Sequence, residues 1–292
     1  MLGTAPPAAR MLLIEQPGPW GPRALLDGRD DARVAEQIGV LAGAAGLRVQ
    51  AIRYPGQRTN TPGRRSVAVA DIAARRILRW SVADLPELLH QLTASTGSNR
   101  DAALDGLLAQ PVEITRDHDP LYLVCTHGRH DACCALRGRP LVQALHAIRP
   151  GRVWETTHVG GDRFAANLVV LPYGDMYGRV LPFAADDLVG QVDRGEVIAG
   201  LMRGRVGLSP IAQAALVFAH QQLGVHRRDA LRVVRVDRVS DDLARVALEA
   251  PDGPVQVEIA MSTSSPAQLT CQGPAQSRAR VYRGVRITAP AG

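Results

Sequence analysis

The apolar positions of this chain change period several times, and each change marks an element. Arg10 to Glu15 (RMLLIE) is a nearly continuous apolar run, the pattern of a buried strand. A Pro/Gly turn follows over Gln16 to Pro22. From Asp30 to Ala45 the period becomes helical. Val34, Ile38 and Leu41 share one face, Asp30 or Asp31 is placed to cap, and Gly46 ends the run. Leu47 to Tyr54 alternates as a strand. Arg64 to Ile72 and Ile77 to Val82 read as two more, and Leu85 to Leu92 starts a helix behind Asp84. A β-α-β-β-α order of this length predicts a thioredoxin-like unit.

After a connector over Gln110 to Pro120 the order begins again. Leu121 to Val124 reads as a strand and Arg139 to Ile148 as a helix. Arg152 to Thr157, Asn167 to Leu171 and Met176 to Val180 read as strands, and Ala185 to Arg194 as a helix. No residue-level repeat accompanies this return, so a duplication rests on element order alone. Ser209 to Leu223 is a further helix, with Ser209 at the N-cap, Pro210 at the first position and Gly224 closing it. From Leu231 the alternation returns (LRVVRV, ARVALEA, VQVEIA, RARVYR), predicting four or five strands. The expected fold is α/β (α+β): tandem thioredoxin-like domains over residues 1–112 and 113–224, and a small β-rich C-terminal extension over 225–292.

Composition adds limits. The chain has 292 residues, 46% hydrophobic and 21% charged, ordinary values for a globular protein. Aromatics are only 4%, so the core is built mainly from Ala, Val, Leu and Ile. No run of about 18 apolar residues occurs, so no membrane span is expected. Met1 to Leu12 lacks the long apolar run of a secretory signal, and a cytoplasmic setting is expected. The net charge is +6 and every basic residue is Arg. The Arg residues are spread along the chain without interleaved aromatics, which argues against nucleic-acid binding. One reading is an acidic protein partner steered to a basic face; the other is a GC-rich genome that writes Arg for Lys.

The chemistry-bearing residues fall in two clusters. Cys125-Thr-His127-Gly-Arg129-His130-Asp131-Ala-Cys133-Cys134 follows one strand directly. Two thiolates bracketing an eight-residue loop have room to wrap an iron–sulfur cluster and its sulfides. His158-Val-Gly160-Gly161-Asp162 follows another strand, its glycines shaped for a tight turn around an object. With Cys271, the chain has four cysteines. Without a secretory signal these favour metal or redox use over a disulfide framework. His127 and His130 are placed as supporting donors, and Arg129 and Arg163 flank the two motifs. No CxxC opens a helix, which weakens a thiol–disulfide oxidoreductase. A structural zinc site stays open as a rival. A sugar hydrolase lacks its pair of carboxylates.

The loop CTHGRHDACC, the stretch HVGGDRFAANLVVLP and the N-terminal EQPGPWG resemble the sucrase/ferredoxin-like family, a branch of the thioredoxin-like [2Fe–2S] ferredoxins. The resemblance covers most of residues 10 to 224. It implies a [2Fe–2S] cluster held by Cys125, Cys134 and His158, in an electron carrier rather than an enzyme, working between a reductase and an acceptor. Fungal members supply two His from an HxGGH motif; here the second position is Asp162. Asp162 and Cys271 rank equally as the fourth ligand. Cys133 ranks last, because vicinal cysteines rarely face one centre.

Overall fold

The computed structural model describes residues 1–57, 63–94, 115–117, 119–271 and 273–288. Its main feature is one ten-stranded sheet. In chain order the strands are β1 (Arg10–Glu15), β2 (Leu47–Arg53), β3 (Arg65–Asp71), β4 (Arg76–Val82), β5 (Thr115–Asp117), β6 (Leu121–Cys125), β7 (Val153–Thr156), β8 (Leu168–Leu171), β9 (Asp175–Tyr177) and β10 (Met202–Arg205). They lie side by side as β10-β9-β8-β6-β7-β2-β1-β3-β4-β5.

The thioredoxin-like topology occurs twice in that order. In the first half β1 runs parallel to β2 and antiparallel to β3. In the second half β6 runs parallel to β7 and antiparallel to β8. A parallel pair needs a crossover, and helices supply both. Helix α1 (Ala32–Ala44) links β1 to β2, α2 (Leu85–Ala94) follows β4, and α3 (Ala132–Ile148) links β6 to β7. The halves are not separate beads. β2 pairs antiparallel with β7 through Ile52–Thr156 and Arg53–Glu155, which makes the two sheets one.

Helices α4 (Ala185–Asp193) and α5 (Pro210–Leu223) complete the second half. Ser209 caps α5 by accepting from the Ala212 N–H, and Gly224 ends it in the left-handed region. This helix is apolar on nearly all sides because it is covered on two. The extension strands β11 (Arg232–Arg238), β12 (Leu243–Ala250), β13 (Gly253–Thr263) and β14 (Arg280–Thr288) form an antiparallel meander. Val246, Leu248, Val257 and Ile259 of this meander join Ala214, Ala215 and Val217 of α5 in one buried cluster. A second cluster crosses the joint between the halves, from Met11, Leu13 and Ile52 to Leu123, Cys125, Cys134 and Trp154.

Two expectations are corrected, and one strand, β10, was not expected. Helix α3 begins at Ala132, not Arg139, because Asp131 is extended and its side chain accepts from the Cys133 N–H. Pro140, which looks like a first-turn residue, sits inside the helix on its exposed side. β9 is shorter than Met176 to Val180 predicts, and β10 carries no alternation that marks it. Much of the predicted connector over Gln110 to Pro120 and residues 58–62 lies outside the described residues.

Candidate metal centre

Both motif loops leave the carboxyl ends of the parallel pair β6 and β7, where open α/β sheets place their ligands. β6 ends on Cys125, which is fully buried. The first turn of α3 carries Cys134, also fully buried. The helix seats tightly against the strand end. A Cβ on Gly138 would lie 2.2 Å from the Cys125 carbonyl oxygen, so only glycine fits there. Two residues after β7, His158 opens a turn through Gly160 and Gly161, whose φ angles of 86° and 77° favour glycine. A short 3-10 turn over Asp162–Phe164 then fixes Asp162.

The donors converge. The sulfurs of Cys125 and Cys134 and a ring nitrogen of His158 all lie within 4.8 Å of one another. Asp162 Oδ1 is 2.9 Å from His158 Nδ1 and 3.3 Å from Cys134 Sγ. His158 is 21% exposed at its side chain and Asp162 only 3%, so the group is buried with one edge open. The exposed His130 ring covers that edge, stacked on His158 with centroids 3.9 Å apart.

His127 ties the two loops together. Its Nε2 lies 2.7 Å from the Gly21 carbonyl oxygen, and its Nδ1 accepts from the His158 N–H at 3.3 Å. That pair of bonds fits the neutral ring protonated on Nε2, and burial lowers its pKa in the same sense. Gly21 belongs to the loop after β1. The first half therefore forms a wall of the site, with Trp20 edge-on to His127 at 5.9 Å.

The charges are arranged against burial. A hydrogen bond from Cys134 holds the Cys125 thiol well below its ordinary range, with His158 helping. The same contact and burial push Cys134 far up. Burial works against a charged His158, but Asp162 and Cys125 beside it prevail and raise it to about 9. Asp162 is buried too, yet contact with His158 keeps it low. Behind the turn lies Arg203, 1% exposed. It donates to the Gly160 carbonyl at 2.8 Å, to Asn167 Oδ1 at 2.7 Å and to the Thr4 carbonyl. Burial lowers it to about 9, which leaves it protonated at neutral pH. A Cβ on Gly161 would meet its Nη2 at 2.4 Å.

Cys271 is not among these donors. It stands against Cys133, sulfur to sulfur at 2.6 Å, and its N–H donates to Asp131 Oδ2 at 2.6 Å. Asp131 Oδ1 accepts from the Cys133 N–H at 2.8 Å, so one carboxylate holds both residues. Of the two fourth donors favoured by sequence, only Asp162 meets Cys134 and His158. Arg163 lies over the Phe164 ring at 4.4 Å. Arg129 lines a cleft of about 680 Å³ with Trp20, Arg53, His127, Arg139 and Glu155. Sequence reasoning missed Arg203 and the Gly21 contact. Arg203 carries no motif, and a fully buried Arg reads in sequence as a surface one.

The topology and the donors define a thioredoxin-like α/β protein with a buried cluster of thiol, imidazole and carboxylate groups. The chain belongs to the sucrase/ferredoxin-like family, whose profile matches residues 1–204. It is 36% identical over 107 residues to Altered inheritance of mitochondria protein 32 of Meyerozyma guilliermondii, covering 30% of this chain and 35% of that protein. The Candida glabrata protein of the same name is 24% identical over 106 residues, covering 31% and 34%. The chain thus spans about a third of the length of these curated relatives. A cysteine-to-serine variant of the thioredoxin-like [2Fe-2S] ferredoxin from Aquifex aeolicus has a similar solved structure. It is 24% identical, with a TM-score of 0.26, covering 29% of this chain and 97% of that one. A further structure of that ferredoxin covers 28% and 88%, at 22% identity and a TM-score of 0.25.

Proposed function

We propose that this protein binds a [2Fe–2S] cluster through Cys125, Cys134, His158 and Asp162, and relays single electrons between a reductase and an acceptor protein. The observation that carries the reading is the convergence of the two thiols and His158 at the ends of β6 and β7. The donor chemistry fits. Soft thiolates suit iron–sulfur chemistry, and imidazole replaces thiolate at iron in Rieske centres. His158 Nδ1 is taken up by Asp162 at 2.9 Å, so Nε2 is the ring nitrogen left to face a cluster.

A bound cluster would supply a one-electron couple, raised in potential by neutral imidazole in place of thiolate. The chain's own groups support it. Arg203 sets a buried positive charge near three donors and anchors the turn through Gly160. Trp20 and Gly21 keep water from one side. The His158 edge, under His130, gives protons a way in. The exposed Arg129 and Arg139 of the cleft beside His127 suit an acidic partner, while Arg53 there is already paired with Glu155. Among the described residues no helix is long and apolar enough to cross a membrane.

The close gathering of four donors also suits a single tetrahedral zinc ion, the second reading. One experiment separates them. The protein is purified without oxygen, its metal content and visible spectrum are measured, and EPR is recorded after dithionite reduction. Brown, iron-containing protein with a reduced-state EPR signal is expected. Asp162→Ala should lose iron and Cys271→Ser should keep it. Colourless, EPR-silent protein that stays iron-free after reconstitution overturns the cluster; stoichiometric zinc supports the alternative.

A further inference from the structure

We infer that Cys133 and Cys271 form a reversible disulfide that fastens the C-terminal β-extension to the first turn of α3, beside Cys134. The two vicinal cysteines of α3 face opposite ways. Cys134 turns inward to Asp162, while Cys133 is partly exposed and meets exposed Cys271 with 2.6 Å between sulfurs. A disulfide spans about 2 Å, so a small closure joins them.

The pairing is built rather than casual. The two oxygens of Asp131 take the N–H of Cys133 and of Cys271, at 2.8 Å and 2.6 Å. The described residues on either side of Cys271 are held as well. Gln268 donates to the Cys271 carbonyl at 2.9 Å, and Ala267 pairs with Ser277. Both thiols are thus held in register and open to an oxidant. A metal held by Asp131, Cys133 and Cys271 is disfavoured, because two thiolates on one tetrahedral ion lie about 3.8 Å apart, whereas these sulfurs are 2.6 Å apart.

The oxidant is a low-molecular-weight disulfide of the glutathione class. One protein thiolate attacks it, forming a mixed disulfide and releasing one small thiol. The second protein thiolate attacks the protein-side sulfur, closing Cys133–Cys271 and releasing the other small thiol. Two electrons pass to the small disulfide, and the two cysteine protons end on the released thiols. The bond would join residues 138 apart in sequence. It would tie the motion of the extension to the helix turn that carries Cys134. Nothing in this depends on which metal the centre takes.

The test uses the full chain, both as purified and after metal removal. Each sample is incubated with oxidised glutathione and digested with trypsin without reduction. A link between residues 130–137 and 246–278 is expected in both samples, with fragmentation placing it on Cys133, reversal by dithiothreitol, and a higher thermal midpoint than the reduced protein. Cys133→Ser and Cys271→Ser should each abolish the link and the midpoint shift and leave the visible spectrum unchanged. Single glutathione adducts on both residues without a link, a link mapped to Cys134, or a metal retained by the two reduced thiols would each overturn the inference.

Discussion

Replacing Asp162 by Asn tests the electrostatic account of the centre in metal-free protein. Asp162 lies 2.9 Å from His158 Nδ1, and with Cys125 it raises the His158 pKa to about 9 against an ordinary 6.5. That gap corresponds to roughly 3 kcal/mol between the two protonation states. A group with a raised folded pKa binds its proton more tightly in the folded chain. Its stabilisation is therefore complete below the ordinary pKa of 6.5 and is lost as pH rises through about 9. Asp162 and Cys125 share the effect, so the Asn variant should remove roughly 1–2 kcal/mol of it. Urea unfolding of both metal-free proteins at about pH 6 and about pH 9.5 measures the difference. The native protein should lose more stability than the variant across that interval. NMR titration should show His158 moving down in the variant, since burial alone lowers it. Equal pH slopes in the two proteins, with His158 unmoved, would refute the reasoning.

Two other substitutions probe the frame. Asp175 is fully buried between Arg205 at 2.9 Å and Arg228 at 2.7 Å. Asp175→Ala strands two guanidinium groups and should cost about 3–5 kcal/mol by chemical denaturation, and a loss under about 1 kcal/mol would show the pair to be solvated. Gly161→Ala forces a non-glycine residue to a φ of 77° and sets a methyl 2.4 Å from Arg203 Nη2. It should cost about 1–2 kcal/mol from backbone strain alone and should lower metal loading, measured as iron or zinc per chain after reconstitution.

How much of this was legible in sequence depends on where the information lies. Local signals read well. Ser209, Pro210 and Gly224 bound α5, and the alternating tail gives four strands. The two motif loops were visible because thiols and glycines are scarce and their spacing is distinctive. The start of α3 was misread because Pro140 imitates a first-turn residue, while Asp131 lies inside a loop that looked purely functional. Asp162 and Cys271 could not be ranked, since only the fold shows that Asp131 draws Cys271 to Cys133. The union of the halves was hidden as well. An edge strand that will pair with another edge strand, as β2 does with β7, has the same apolar pattern as one that will not.

The β2–β7 joint is a narrow seam between the halves. Among the described residues it has the fewest registered pairs of any neighbouring strands, two, against seven between β3 and β4. The joint is reinforced beyond its register: Thr157 and Ala51 exchange hydrogen bonds across it and Arg53 pairs with Glu155. All four donors hang from the second half, on one side of it. Opening there would draw Trp20 and Gly21 away from His127. Water access to the donors can then vary while the donors themselves stay in place.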